Sequence, residues 1–270
     1  MKLIIGWFYP DLMSTYGDRG NIICLKKRGQ WRGIEVEVKN IDLGTNNREI
    51  RKCDLLFMGG AQDRQQKIAS SDLRKNKGPI IKEMIEENIP GLFVCAAYQF
   101  MGHYYRPAEG EDIEGLHIFD LYTRHFGKDK PRCIGNTIVK VSNSIFQPCP
   151  EPGHQSSYKT QIFLVGFENH GGRTYLGTNC MPLGEVIIGY GNNGEDKTEG
   201  CVYKNAIGTY LHGPILPKNP YLADWLIKTA LEKRYQKEVK LKKLSDNLEE
   251  KARNFIFQKL NFYEKKENTY

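Results

Sequence analysis

Apolar residues at the start of the chain gather in short runs bounded by turn-forming residues. Residues 3–9, 34–38, 54–58 and 92–95 read as strands, and 34–38 alternates with a period of two. Between them, around 21–32 and across 73–88, the apolar spacing lengthens to that of helices. Strands alternating with helices predict βαβ units, hence a mainly parallel sheet flanked by helices. Beyond residue 110 the runs shorten, and 116–121, 134–141, 161–167 and 185–190 read as short strands separated by turns. Pro148, Pro150 and Pro152 mark 143–159 as an excursion loop. Helix returns at 221–234, where Leu222, Trp225, Leu226 and Ala230 share a face. A final helix at 247–263 carries Leu248, Ala252, Phe255, Ile256 and Leu260 on one stripe. The last seven residues are expected to fray. The fold class is α/β. One domain is expected over 1–235, with a C-terminal helical extension, 236–270, packed on the same domain.

Charge changes little in this picture once it is located. Of the net +7, residues 228–270 contribute 12 Lys/Arg against 7 Asp/Glu, and the remaining chain is close to balance. Such a tail reads as a solvated helical face, with contact to an anionic membrane or a partner as the other reading. No ribonucleoprotein or zinc-finger pattern points to nucleic acid. The seven cysteines are scattered and contain no CxxC pair. That argues for a reducing, cytoplasmic compartment and against a disulfide framework or a metal site. The first residues are too briefly apolar for a secretory leader, and no run approaches the roughly 18 apolar residues of a membrane span.

Candidate chemistry centres on Cys95. It ends an apolar run, is followed by Ala96-Ala97, and precedes the helix-like Tyr98-Gln99-Phe100-Met101. A nucleophile on a sharp strand-to-helix turn needs small neighbours, and a helix N-terminus favours its thiolate. A second cluster, Met58-Gly59-Gly60-Ala61, is a strand running into a glycine loop whose amides can approach an oxyanion. A third, Gly208-Thr209-Tyr210-Leu211-His212-Gly213-Pro214, places a histidine at a strand end. A fourth, Tyr16-Gly17-Asp18-Arg19-Gly20-Asn21, offers Asp18 as a helix cap. Neither a Walker motif nor another phosphate cradle is present.

These segments, with Gly166-Phe167-Glu168-Asn169-His170-Gly171-Gly172-Arg173 and Gly189-Tyr190-Gly191-Asn192-Asn193, make residues 1–235 resemble the class I glutamine amidotransferases. The similarity is to the cobyric-acid-synthase-like branch, and within it to glutaminase subunits that serve lipid II amidation. The resemblance implies a flavodoxin-like sheet, no cofactor, and hydrolysis of L-glutamine to glutamate and ammonia through a thioester on Cys95. It also implies a heterodimer with a MurT-like Mur-ligase subunit. That subunit would use ATP to amidate the D-glutamate of the peptidoglycan stem peptide, close to membrane-anchored lipid II. His212 would be the base, and the amides of Ala96 and Gly60 would form the oxyanion hole. Arg132 would grip the glutamine α-carboxylate. Most class I relatives place a glutamate two residues after the histidine. Here that position is Pro214, so the orienting acid falls to Asp18, with the cap reading still open. His170 reads as site-shaping rather than as a second base.

Two departures stand out. Cys95-Ala96-Ala97 replaces the usual Cys-Gly-Gly, and Ala61 follows Gly59-Gly60 where the family has glycine or serine. Alanine costs about 1–2 kcal/mol in a left-handed backbone, so a strained elbow awaiting a partner is expected. A binding subunit that has lost turnover, an amidotransferase serving another ligase, and a cysteine hydrolase of other substrates are the other readings.

Overall fold

The apolar runs become strands β1 (Lys2–Phe8), β2 (Glu35–Ile41), β3 (Leu55–Met58) and β4 (Gly91–Val94). All four residues of β3 and of β4 are buried, as befits strands covered on both faces. Helices α1 (Arg19–Gln30), α2 (Asn47–Ile50), α3 (Asp63–Asp72), α4 (Gly78–Glu86) and α5 (Ala96–Met101) alternate with them. The computed structural model describes residues 1–127, 129–141 and 162–262. The expected excursion loop at 143–159 and the last seven residues lie outside that set.

The helix expected over 73–88 starts earlier and is broken. It begins as α3 at Asp63 and passes through a π-turn, Leu73–Lys77, before α4. Asp72 and Lys77 stand one π-turn apart and pair, with Lys77 wholly buried and its ammonium 5.3 Å from the centre of the Tyr9 ring. The Tyr9 hydroxyl donates to the same carboxylate at 2.7 Å. A buried ion pair that needs this spacing therefore overrides the regular helical period.

Among the described residues the middle of the chain builds further strands: β5 (Tyr104–Arg106), β6 (Ile113–Glu114), β7 (Leu121–His125), β8 (Cys133–Val141), β9 (Phe163–His170), β10 (Gly172–Leu176), β11 (Gly184–Ile188), β12 (Thr198–Glu199), β13 (Cys201–Tyr203) and β14 (Ala206–Thr209). The main sheet has the order β13-β14-β4-β3-β1-β2, parallel throughout except for the antiparallel edge strand β13. Two four-stranded sheets, β10-β7-β5-β6 and β12-β11-β8-β9, stand beyond it. The strand expected at 116–121 is displaced to Leu121–His125. His117 has φ +53°, and the amides of residues 116–119 are taken by the carbonyls of Phe100, Met101 and Gly102 at the end of α5.

Helices α6 (Ile215–Lys218), α7 (Pro220–Tyr235) and α8 (Asn247–Lys259) complete the described chain. The expected face of α7 packs inward, with Leu222, Leu226 and Ala230 fully buried and Trp225 packed against the core. The stripe expected to bury α8 does not. Leu248 and Phe255 are exposed, and Phe262 instead closes this end with its ring 5.1 Å from those of Phe163 and Phe257. The chain between α7 and α8 is pinned by Arg28, whose buried guanidinium donates to Asp224 (2.7 Å) and to Asp246 (2.6 Å).

Candidate active site

All four chemical clusters arrive at the C-terminal edge of the main sheet, the edge at which open α/β sheets hold ligands. Gly60 follows β3, Cys95 follows β4, and His212 lies three residues past β14. The loop after β1 leads to Asp18 at the head of α1.

Cys95 is the strained residue. It has φ +55° and ψ −107°, costly for any side chain, while Ala96 and Ala97 lie in the ordinary helical region of α5. The strain expected at the alanines is thus absent from them; the turn is made by Cys95 itself. Its amide donates to the Thr209 carbonyl at 2.8 Å, and its carbonyl accepts from the Gln99 amide at 3.0 Å. A nearly buried thiol is so held at the floor of a cavity of about 450 Å³.

His212 is locked by its backbone before its ring is considered. It exchanges both main-chain hydrogen bonds with Phe167 of β9, at 2.8 and 3.1 Å. Its Nδ1 is 3.1 Å from Asp18 Oδ1, both side chains wholly buried. Asp18 makes no side-chain cap to α1, so the carboxylate serves the histidine rather than the helix. The head of α1 docks closely enough for this because Gly20 lacks a side chain. A Cβ there would fall 2.4 Å from Pro214 Cγ. Asn21 Oδ1 also accepts the Leu216 amide at 3.0 Å. Burial opposes the charge on His212, but Cys95 and Asp18 outweigh it and hold the ring well above the ordinary histidine value. The raised value favours the imidazolium form of His212.

Gly60 departs from its expected part. Its N–H donates to Asp18 Oδ2 at 2.7 Å, so it orients the acid and is not aimed at an oxyanion. A side chain would not fit either, since a Cβ would lie 2.9 Å from His212 Cε1 and 3.3 Å from Cys95 Cβ. Ala61, next along the loop, lines the cavity. Ala96 supplies the first amide of α5, one of those a helix leaves without an internal partner.

Arg132 lines the same cavity, as expected, and is braced by Asn169, with Nε 3.0 Å from Oδ1 and Nη2 3.1 Å from the carbonyl. Among the described residues no carboxylate pairs with it. His170 also lines the cavity. Its ring stacks on Tyr210 at 3.7 Å, and Nδ1 is 2.7 Å from the Gly172 carbonyl. Burial pushes it toward the neutral form, against the pull of Glu168. His170 is thus part of the cavity wall, while His212 is the histidine paired with a buried carboxylate. Sequence reasoning passed over Gln66 and Gln99, which line the cavity with buried Oε1 atoms that have no hydrogen-bond partner. The spacing held a signal for Gln99, four residues after Cys95 and so on the same helical face.

Comparison with known proteins places this geometry. The family model of the CobB/CobQ-like glutamine amidotransferase domain matches residues 4–220. The GatD subunit of lipid II isoglutaminyl synthase (glutamine-hydrolysing) from Staphylococcus aureus is 43% identical over 235 residues, covering 86% of each chain. The subunit of the same name from Streptococcus pneumoniae is 38% identical over 251 residues, covering 92% of this chain and 87% of its own. A crystal structure of a glutamine amidotransferase superposes with a TM-score of 0.54 at 12% identity, over 84% of this chain and 98% of that one, a likeness of fold. With matching sequence, sheet order and a cysteine at the switch-point edge, the chain belongs to the CobB/CobQ-like glutamine amidotransferase family.

Proposed function

We propose that this chain is the glutamine-hydrolysing subunit of a lipid II isoglutaminyl synthase. It releases ammonia at Cys95 for a MurT-like Mur-ligase subunit, which spends ATP to amidate the D-glutamate of the stem peptide. The observation that carries the chemistry is the buried Asp18–His212 pair, 194 residues apart in sequence, beside the strained Cys95. The likeness to two GatD subunits over most of the chain supports the partner and the acceptor. No described helix is long and apolar enough to cross a membrane. Residues 1–235 carry the reaction, with 236–270 as an appended extension that holds α8, and the work belongs in the cytoplasm.

Glutamine enters with its α-carboxylate on Arg132 and its α-ammonium facing the Oε1 atoms of Gln66 and Gln99. These buried acceptors want donors, and the ammonium brings three. The Cys95 thiolate attacks the side-chain carbonyl carbon, forming the S–C bond as the carbonyl electrons move onto oxygen. The Ala96 amide, with Ala61 in the place first given to Gly60, receives that oxyanion; one such donor is worth roughly 10²–10³ in rate. His212 passes its proton to the departing nitrogen, the C–N bond breaks, and ammonia leaves. Water then attacks the thioester with His212 as base, releasing glutamate and restoring the thiolate–imidazolium pair. Asp18 keeps the ring oriented, and the Gly60 amide keeps Asp18 oriented.

The test is glutamate release from L-glutamine by the chain co-expressed with its ligase partner. Cys95→Ala should bring release below a tenth of wild type with the complex intact. Release above that level would remove Cys95 from the reaction.

A further inference from the structure

Glu199 is a carboxylate for which the hydrolysis has no use. It ends β12, is wholly buried, and among the described residues pairs with no cation. Its Oε1 accepts from the Thr209 hydroxyl at 2.6 Å and from the Tyr210 amide at 2.8 Å, while Oε2 has no hydrogen-bond partner. An unpaired buried carboxylate is expensive, and a fold does not need one here for shape alone.

What it holds is the run that assembles the site. The Thr209 carbonyl accepts the Cys95 amide, and the Thr209 Oγ1 accepts the Leu211 amide at 3.0 Å, one residue before His212. Tyr210 stacks on His170, and its hydroxyl accepts from Gln99 Nε2 at 3.1 Å. Nucleophile, base and cavity wall thus hang on one segment, and Glu199 grips that segment from behind.

We propose that Glu199 is a positioning residue: its ionised carboxylate clamps Thr209 and Tyr210, and so sets the placement of Cys95 and His212 for glutamine hydrolysis. This rests on the hydrolytic reading given above. A charged acceptor holds hydrogen bonds about twice as strongly as a neutral one, so the clamp is tight when Glu199 is ionised and slack when it is protonated.

The electrostatics supply a signature. Burial raises the Glu199 carboxyl to about 7, the bonds from Thr209 and Tyr210 pull it down, and Glu168 pushes it up. Its charge is felt by Tyr98 of α5 and Cys133 of β8, which it pushes up. A carboxyl whose folded value lies above its unfolded value of about 4.3 favours the fold at acid pH. That contribution is lost as pH rises from about 4.3 to about 7. Ionised Glu199 therefore costs stability where the enzyme works, a cost that function explains and structure does not.

The experiment measures kcat and KM for glutamine, and Tm, from about pH 5 to 9. It uses the ligase-bound chain as wild type, Glu199→Gln and Thr209→Val. Glu199→Gln should melt higher than wild type at pH 8, with the gain fading toward pH 5. Its kcat should be roughly tenfold lower at pH 8 with little change in KM, and the acid limb near 7 should vanish. Thr209→Val removes one bond that favours the anion, so its acid limb should move to higher pH. This second variant carries the test if the first does not fold. A Glu199→Gln enzyme with wild-type kcat across the range, or an unmoved limb in Thr209→Val, overturns the proposal. A wild type with no Cys95-dependent hydrolysis refutes the hydrolytic reading and this proposal with it.

Discussion

At Cys95, φ +55° and ψ −107° impose strain of about 1–3 kcal/mol on a residue with a side chain. Glycine relieves that strain and alanine does not. Cys95→Gly and Cys95→Ala should both be inactive, with Cys95→Gly melting higher; equal or reversed melting temperatures would mean the turn is relaxed. His212 gives the pH dependence. Its value is raised by Cys95 and Asp18, so the imidazolium and the stability it brings persist through neutrality. Both are lost only as pH climbs well above the ordinary value of about 6.5. Hydrolysis should therefore fade on the alkaline side at a pH well above 6.5. In Asp18→Asn one raising partner is gone, so the alkaline limb should move down and kcat fall on the order of 10²-fold. An unmoved limb would separate Asp18 from the base. Cys95, His212, Asp18 and Arg132 could be singled out in the sequence because each stands in a distinctive run, and the structure brings Asp18 to His212 and sets Cys95 and Arg132 on one cavity. Gly60 was misread because the direction of an amide is not written in residue identity. Glu199 carried no signal, its meaning lying in which strand it backs.

Among the elements, α5 accommodates Ala96 and Ala97 without a left-handed backbone. Ala97 occupies a helical position with ordinary φ, wholly buried. Ala97→Gly should then lower stability by about 0.5–1 kcal/mol in chemical denaturation and leave turnover no higher. A rise in turnover would restore the idea of an alanine-strained elbow. In the main sheet, β1, β3 and β4 were legible to within a few residues because they are largely apolar and bounded by turns, and β2 because it alternates with a period of two. The strand expected at 116–121 was not, since its amides go to the carbonyls at the end of α5. Nor was the start of α3 at Asp63, whose first residues lack an apolar period. The outward face of α8 misled for a related reason: the helix is held by Arg28 and by ring contacts near Phe262, not by its apolar stripe.

For the whole molecule, Arg28 joins α1, α7 and the segment before α8. Arg28→Met should cost about 2 kcal/mol or more, because two carboxylates lose a charged donor, although each is a quarter exposed. Chemical denaturation reads this directly, and an unchanged midpoint would make the pinning ornamental. Turnover should survive, since the residue lies away from the cavity. At this scale the division of labour is the central claim: the chain makes ammonia, and an ATP-using partner spends it. It is tested most directly by the source of nitrogen in the product. The complex is given ATP, lipid II and either amide-¹⁵N glutamine or ¹⁵N-ammonium, and the stem peptide is weighed by mass spectrometry. Wild type should incorporate ¹⁵N from both. The Cys95→Ala complex should incorporate it from ammonium alone. Incorporation from glutamine by Cys95→Ala, or from neither source by wild type, would contradict the account.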